Sequence, residues 1–212
     1  MTNKKLILKA DDFHFTNRDE WKNESWTRYF DYIQKNKLHT NVGVIPQRFE
    51  FWDYQFPKSK FIKYYVHGLT HLRYNGQYEF NGSFEQQLNR LKRSKSLMNS
   101  FKLDFDTFGA PWNVLDNNTI MCLELLGFKK CFIDSKNINL FDNSHIEPIK
   151  VNMGMEILDT NTLVLNPSFQ KFIEKYKTEE DICVLEHHPA NWKSLEEFDK
   201  IIQFLKKEGL EL

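Results

Sequence analysis

The stretch Leu6-Ile7-Leu8-Lys9-Ala10-Asp11-Asp12 is a short apolar run closed by two adjacent carboxylates, the pattern of a buried strand that opens into a polar loop. The same pattern recurs along the chain. Residues 41–45 form a β-rich run ended by Pro46, residues 61–66 stop at His67-Gly68, and residues 106–110 lead into Pro111. Residues 128–133, 162–165 and 182–185 read as further strands. Helical patterns lie between them. Residues 20–37 carry Trp26, Tyr29, Phe30 and Ile33 at helical spacing, with Thr16 and Asp19 as an entry cap. Ser83 with Gln86 forms a capping box for a helix through Ser100. Its buried face is marked by Leu88, Leu91, Ser94 or Lys95, and Met98, while Arg90, Lys92, Arg93 and Lys95 read as a solvated face. Residues 117–126 form a helix closed by Gly127. Asn166-Pro167 opens a helix through Tyr176, and Ser194 with Glu197 caps a last one that ends at Gly209. Six or seven short apolar strands alternating with helices predict one α/β domain built on a parallel sheet, open or closed into a barrel.

Composition narrows the function classes. Lys+Arg and Asp+Glu both number 29, so the formal charge is zero, without the basic surplus of a nucleic-acid binder. No run of about eighteen apolar residues predicts a membrane span. Cys122, Cys131 and Cys183 form neither a C-x-x-C pair nor an even set, which fits a reducing compartment. Only three apolar residues follow Lys4-Lys5 before the next charge, too few for a signal-peptide core. The expectation is a cytoplasmic protein of unread oligomeric state. Aromatic residues reach 15%. A phenylalanine-packed core accounts for this most simply; the sharper reading puts two or three of Trp21, Trp26, Trp52, Trp112 and Trp192 along a cleft for a flat ligand.

The chemically useful residues fall just after strands: Asp11-Asp12, His67, Gly109-Ala110-Pro111-Trp112, and His187-His188-Pro189. In α/β folds these C-terminal strand ends share one face, so residues distant in sequence converge there. His67 and His71 have the i, i+4 spacing that places two imidazoles on one side of a helical turn, fit to hold one metal ion. With Asp12 they make a two-histidine, one-carboxylate set that leaves coordination positions open, as metal-assisted hydrolysis requires. Neighbouring strand residues point to opposite sides, so Asp11 is left for proton chemistry as a general base. His187 and His188 supply a candidate acid, with Pro189 fixing the backbone behind them. His14, His39 and His145 read as structural or surface residues.

Four segments together resemble the polysaccharide deacetylase family (family 4 carbohydrate esterases): Lys9-Ala10-Asp11-Asp12-Phe13, His67-Gly68-Leu69-Thr70-His71, Phe108-Gly109-Ala110-Pro111-Trp112-Asn113, and residues Leu185-Glu186-His187-His188-Pro189-Ala190-Asn191-Trp192. Their order and spacing agree, and they span residues 9–192. The likeness is greatest to the short intracellular branch tied to surface polysaccharides. The resemblance implies a distorted (β/α)7 barrel, akin to a TIM barrel, with one divalent metal: zinc first, with iron, cobalt, manganese or nickel compatible. Asp11 matches the family's base, and Asp12, His67 and His71 its metal ligands. Pro111-Trp112-Asn113 matches the motif whose backbone amide helps hold the oxyanion. His188 is the better match to the acid, with His187 as the second candidate. The implied activity is removal of an acetyl group from an N-acetylated sugar or sugar precursor, a small molecule or oligosaccharide.

Three departures stand out. The family's third motif usually carries an arginine that contacts the base, and here Phe108-Gly109-Ala110 stands in its place; Arg73 or Lys150 is the expected substitute. Gly68 replaces the usual Ser or Thr. The short stretch between the last helix and Leu212 implies that a closing strand is missing or very short. Two other readings compete: a hydrolase of a small amide or cyclic imide in the same superfamily, and a catalytically silent carbohydrate-binding domain.

Overall fold

The computed structural model describes residues 6–16, 20–50, 54–151, 153–159, 164–177, 184–210 and 212. In chain order these form β1 (Ile7–Phe13), α1 (Glu20–Asn36), β2 (Thr40–Val44), β3 (Ile62–Val66), α2 (Phe84–Ser100), β4 (Thr107–Gly109), α3 (Asn117–Leu125), β5 (Lys130–Asp134), β6 (Glu147–Val151), β7 (Met153–Gly154), β8 (Glu156–Asp159), β9 (Val164–Pro167), α4 (Phe169–Tyr176), β10 (Val184–His187) and α5 (Glu196–Lys207). The main sheet runs β6-β5-β4-β3-β2-β1-β10-β7, and every pair in it is parallel. Its two edges, β6 and β7, are separated by a single residue of sequence. The sheet thus curls round until its two edges come from neighbouring stretches of chain, a nearly closed (β/α)7-type barrel.

Alternation along the strands separates two cores. Outward residues such as Leu8, Ala10, Val42, Val44, Tyr64, Val66 and Phe108 join helix residues Trp26, Tyr29, Ile33, Leu91, Met98 and Ile201 in one buried layer. Inward residues Tyr65, Phe132 and Val184 fill the lumen, with Ile7, Ile149 and Val151 packed against them. Most of the aromatic content goes into the outer layer. Phe13 alone meets Trp26, Phe30, Phe49, Tyr54, Phe56 and Tyr64 at centroid distances of 4.7–6.4 Å. Trp26 and Trp192 are buried, and Trp52 lies outside the described residues.

Local signals place most elements. Ser83 accepts a hydrogen bond from Gln86 N–H and starts α2, whose buried residues include Leu91, Ser94 and Met98. Asp116 and Thr119 make a reciprocal capping box on α3. The expected entry cap on α1 pairs Thr16 with Asp19, which lies outside the described residues. Several expectations change. Asn166-Pro167 belongs to β9, and Ser168 caps α4 by accepting from Lys171 N–H. Leu195 precedes α5 with no side-chain cap. Part of the basic face of α2 is engaged: Arg90 donates to the Glu79 carbonyl and stacks over Tyr74, and Lys95 donates to the Leu126 carbonyl at 2.6 Å.

The strand expected at residues 162–165 is β9 in its described part, and it pairs antiparallel with β8 outside the barrel. Only four residues separate the two strands, far short of the dozen or so a parallel crossover needs. The stave β6 escaped the hydropathy reading because Glu147-Pro148-Ile149-Lys150-Val151 carries two charges and a proline, which demotes a strand pattern.

Replacing Phe13 with alanine removes the hub of the outer aromatic layer. Urea unfolding should show Phe13→Ala destabilised by about 3–5 kcal/mol, the usual range for deleting a fully buried aromatic ring.

Candidate active site

The C-terminal strand ends open into a cavity of about 360 Å³ lined by Asp11, Asp12, His67, His71, Trp112, Asn113, Leu165, Glu186 and His188. A second cavity, about 390 Å³, sits at the opposite end among strand starts, with Thr40, Lys63 and Lys130 on its wall. It holds none of the residues singled out by their position after a strand.

Alternation puts Lys9 and Asp11 on the lumen side of β1, and would send Asp12 outward. The backbone turns at Asp12 instead, with φ of 67°, and the register with β2 shifts between Ala10 and Phe13. Both carboxylates consequently face the cavity. A left-handed backbone at a non-glycine residue is costly, roughly 1–3 kcal/mol. Here His14 supports it: its Nδ1–H donates to the Asp12 carbonyl at 2.9 Å. His14 is thus attached to the site, which its sequence context gave no sign of.

His67 and His71 sit on a loop after β3, not on a helical turn. Gly68 has φ of 75° and His71 of 56°. The loop wraps the fully buried Glu79 carboxylate, which accepts from the N–H groups of Leu69, Thr70 and His71, each at 3.0 Å. Arg48 donates to the His71 carbonyl at 3.4 Å. A Cβ on residue 68 would approach Glu79 Oε2 at 2.6 Å and Pro111 Cγ at 2.7 Å. Glycine at this position is a steric requirement of the loop.

Asp12 Oδ1 lies 3.3 Å from His67 Nε2 and 3.1 Å from His71 Nε2. That oxygen is buried without a hydrogen-bond partner, an arrangement that normally costs stability unless another group satisfies it. One donor atom from each of Asp12, His67 and His71 falls within 4.8 Å of the others. His67 Nδ1–H donates to the Gly109 carbonyl at 2.9 Å, which fixes the tautomer and aims Nε2 at the cluster. Burial pushes His71 down to about 4 despite the neighbouring Asp12 charge, so its ring is neutral at pH 7, as a ligand must be. The donor chemistry, the orphaned oxygen and the Gly109 carbonyl behind His67 all suit a divalent cation.

Asp11 is 2% exposed. Tyr65 donates its hydroxyl to Oδ1, and Lys9 Nζ donates to Oδ2. Lys9 also reaches Glu186 Oε1 at 2.5 Å. Burial pushes Asp11 upward, but the charge and hydrogen bond of Lys9 together with the charges of His67 and His188 outweigh it and hold the carboxyl below its ordinary value. The missing arginine leaves two expectations, a replacing cation such as Arg73 or Lys150 or a less well tuned base. Neither named cation takes this place: Lys150 is exposed on β6, and Arg73 stacks on Tyr78 and Trp112, at 4.4 and 5.6 Å. Lys9 is two residues from Asp11, on the same strand and the same side, so alternation alone could have signalled it.

The paired histidines diverge. His187 is fully buried, its Nδ1–H donating to the Leu185 carbonyl at 3.1 Å and its Nε2 bonded to Tyr29 Oη at 2.8 Å. Burial lowers it to about 4. His188 lines the cavity. Its Nδ1–H donates to Glu156 Oε2 at 2.6 Å, and its backbone N–H to Oε1 at 2.8 Å. Trp192 Nε1–H also donates to Glu156 Oε1, at 2.6 Å. Burial would lower His188, but the hydrogen bond and charge of Glu156, with the charges of Asp12 and Asp11, outweigh it and raise the ring to about 10. Glu156 had no signal in the sequence because it comes from the β8–β9 hairpin, which was not foreseen.

Pro111-Trp112-Asn113 forms a short turn after β4, with Trp112 and Asn113 both left-handed at φ of 56° and 55°. Trp112 is 40% exposed and packs against His71 at 4.2 Å between ring centroids. Asn113 Nδ2 points to Glu186 Oε1 at 3.3 Å, while its Oδ1 is buried without a partner.

No family model and no curated protein matches the chain. Solved structures do. A CE4-family pseudoenzyme from Bacillus anthracis aligns over all of this chain at 13% identity and a TM-score of 0.65, and the chain spans 64% of that protein's length. A family 4 carbohydrate esterase from Streptomyces lividans, solved with acetate, aligns over 99% of this chain and 91% of its own at 12% identity and TM-score 0.60. An acetyl xylan esterase from Clostridium thermocellum, solved with a cobalt ion, aligns over 98% and 86% at 15% identity and the same TM-score. At these identities the likeness establishes the barrel fold.

If the three donors form a metal site, Asp12→Ala should abolish binding of added Zn or Co, read by elemental analysis after gel filtration. His14→Ala should weaken it by about tenfold, the lower end of the range for outer-shell partners; unchanged affinity would show that the Asp12 backbone holds its shape unaided.

Proposed function

We propose that this protein is a metal-dependent deacetylase that hydrolyses the N-acetyl group of a sugar or sugar precursor. The observation that carries this reading is the convergence, in one cavity, of an orphaned metal-type donor set, a buried carboxylate and a histidine charged by Glu156. A metal held by Asp12, His67 and His71 supplies Lewis acidity and activates water. Zinc is our first choice, and the cobalt ion bound by the Clostridium thermocellum esterase, which has a similar fold, supports a cation of this kind.

The chain's own residues divide the remaining work. Asp11, kept ionised by Lys9, takes a proton from the attacking water as general base. In the turn after β4, Pro111 has no N–H and that of Asn113 is bonded to the Ala110 carbonyl at 3.0 Å. Trp112 N–H is therefore the donor left in that turn to meet a developing oxyanion. His188, oriented through Nδ1, presents Nε2 to the cavity and gives its proton to the leaving amine. His187, closed off against Tyr29, takes no part. The exposed face of Trp112 offers a platform for a sugar ring. We place the reaction in the cytoplasm, on an intracellular intermediate of surface-polysaccharide assembly; the buried free thiols of Cys122 and Cys131 support a reducing compartment.

The silent-domain reading draws on the Bacillus anthracis pseudoenzyme. Against it, the residues read here as base, ligands and acid all line one cavity. Release of acetate and free amine from N-acetylated sugars by the cobalt- or zinc-loaded protein tests the proposal directly. A protein that binds metal and sugars but releases no acetate would be a binding domain. Cleavage of a cyclic imide without acetate release would mark the other hydrolase class.

Asp11→Asn should keep the metal and lose at least about a hundredfold in kcat, the lower bound of a general base's contribution. His188→Ala should slow an amide more than an activated ester, whose leaving group needs no proton. The acid role also sets a pH limb. A group raised to about 10 stays protonated through neutral pH, so activity should fall only as pH rises toward that value. In Glu156→Gln the raising partner is gone, and the alkaline limb should move down toward the ordinary histidine range.

A further inference from the structure

Three neighbouring strands share one packing detail beneath the cavity. The Tyr65 ring on β3 stands between Gly43 on β2 and Gly109 on β4. A Cβ at residue 43 would lie 2.5 Å from Tyr65 Oη, and one at residue 109 would lie 2.8 Å from its Cε2. Both glycines thus make room for a phenol aimed at Asp11. Beside it, Lys9 is 0% exposed, with Nζ 5.8 and 5.6 Å from the rings of Tyr65 and Phe132. An ammonium in an aromatic-walled lumen is unfavourable unless paired. Its partners are Asp11, from which it takes one oxygen, and Glu186 on β10.

We propose that Lys9, Tyr65 and Glu186 are positioning residues that clamp the Asp11 carboxylate, with Tyr65 holding Oδ1, Lys9 holding Oδ2, and Glu186 anchoring Lys9 from the far side. The clamp rests on the reading of Asp11 as the general base, and it assigns a function to three residues outside the metal-donor set, which act through Asp11. Each oxygen of Asp11 keeps a lone pair for water, but the plane of the carboxylate is no longer free to rotate. Glycine at residue 109 belongs to the same device, because any side chain there would displace the Tyr65 ring. Glu186 extends the clamp to the cavity wall through Asn113 Nδ2, at 3.3 Å from Oε1.

The test uses Tyr65→Phe, which keeps the ring and removes one donor, beside Lys9→Met and the double variant Lys9→Met/Glu186→Gln, which leaves only one unpaired carboxylate. Metal content and circular dichroism confirm that each variant is folded and loaded. Expected in Tyr65→Phe is a fall of about tenfold or more in kcat with KM within twofold, and a rotated Asp11 carboxylate in its crystal structure with the metal-donor atoms unmoved. Lys9→Met should lose more. In the double variant, kcat stays low even where folding recovers. Unchanged kcat in Tyr65→Phe, or an Asp11 carboxylate in its original plane in both single variants, overturns the clamp. If the wild type releases no acetate, the function proposed above fails, and the crystallographic comparison still decides whether these residues hold Asp11.

Discussion

Two adjacent carboxylates at the end of a β-strand cannot ordinarily serve the same cavity, since the pleat sends their side chains to opposite faces. The reversal of the backbone at Asp12 removes that restriction, and most of the site follows from it. Asp11 remains on the lumen side in the strand's own register, next to Lys9. Asp12 swings over the rim to meet two histidines from the neighbouring loop. The carbonyl of the reversed residue is held by His14, and that of the left-handed His71 by Arg48. Local strain at two donors is thereby spread into hydrogen bonds from residues further back.

The loop carrying the histidines shows a related economy. A buried carboxylate, Glu79, replaces the missing regular structure by accepting from three successive N–H groups. Such a side-chain hub satisfies backbone donors that a helix or sheet would otherwise pair. It also leaves no volume for a side chain at residue 68. Glycine there and the tight seat of Pro111 are two sides of one packing contact.

Much of this was legible in the sequence where hydropathy and special residues coincide. The runs of β1, β3, β4 and β10 end on or near residues with chemical uses, and the capping of α2 is written in Ser83 and Gln86. Asp11, Asp12, His67, His71 and His188 could be named as candidates because each follows a strand. Three things were not legible. The stave Glu147–Val151 lacks an apolar run, and none of its five residues is fully buried, so hydropathy carries no trace of its pairing. The hairpin β8–β9, and with it Glu156, has no period that distinguishes it from a crossover strand. And Lys9, inside a strand otherwise read as apolar, looked incidental: a lysine's burial depends on carboxylates 2 and 177 residues away in sequence.

The hairpin is not a stave of the barrel, yet Glu156 from it holds both the ring and the backbone of His188, and Leu165 from it walls the cavity. In the proposed mechanism the metal donors and base come from barrel strands and the loop after one of them, while the orientation of the proton donor comes from an appendage. On that proposal, the chemistry at the two ends of the scissile bond is encoded in separable parts of the chain. Exchange of the appendage between related barrels would alter which leaving groups are accepted while the water-activating half stayed intact.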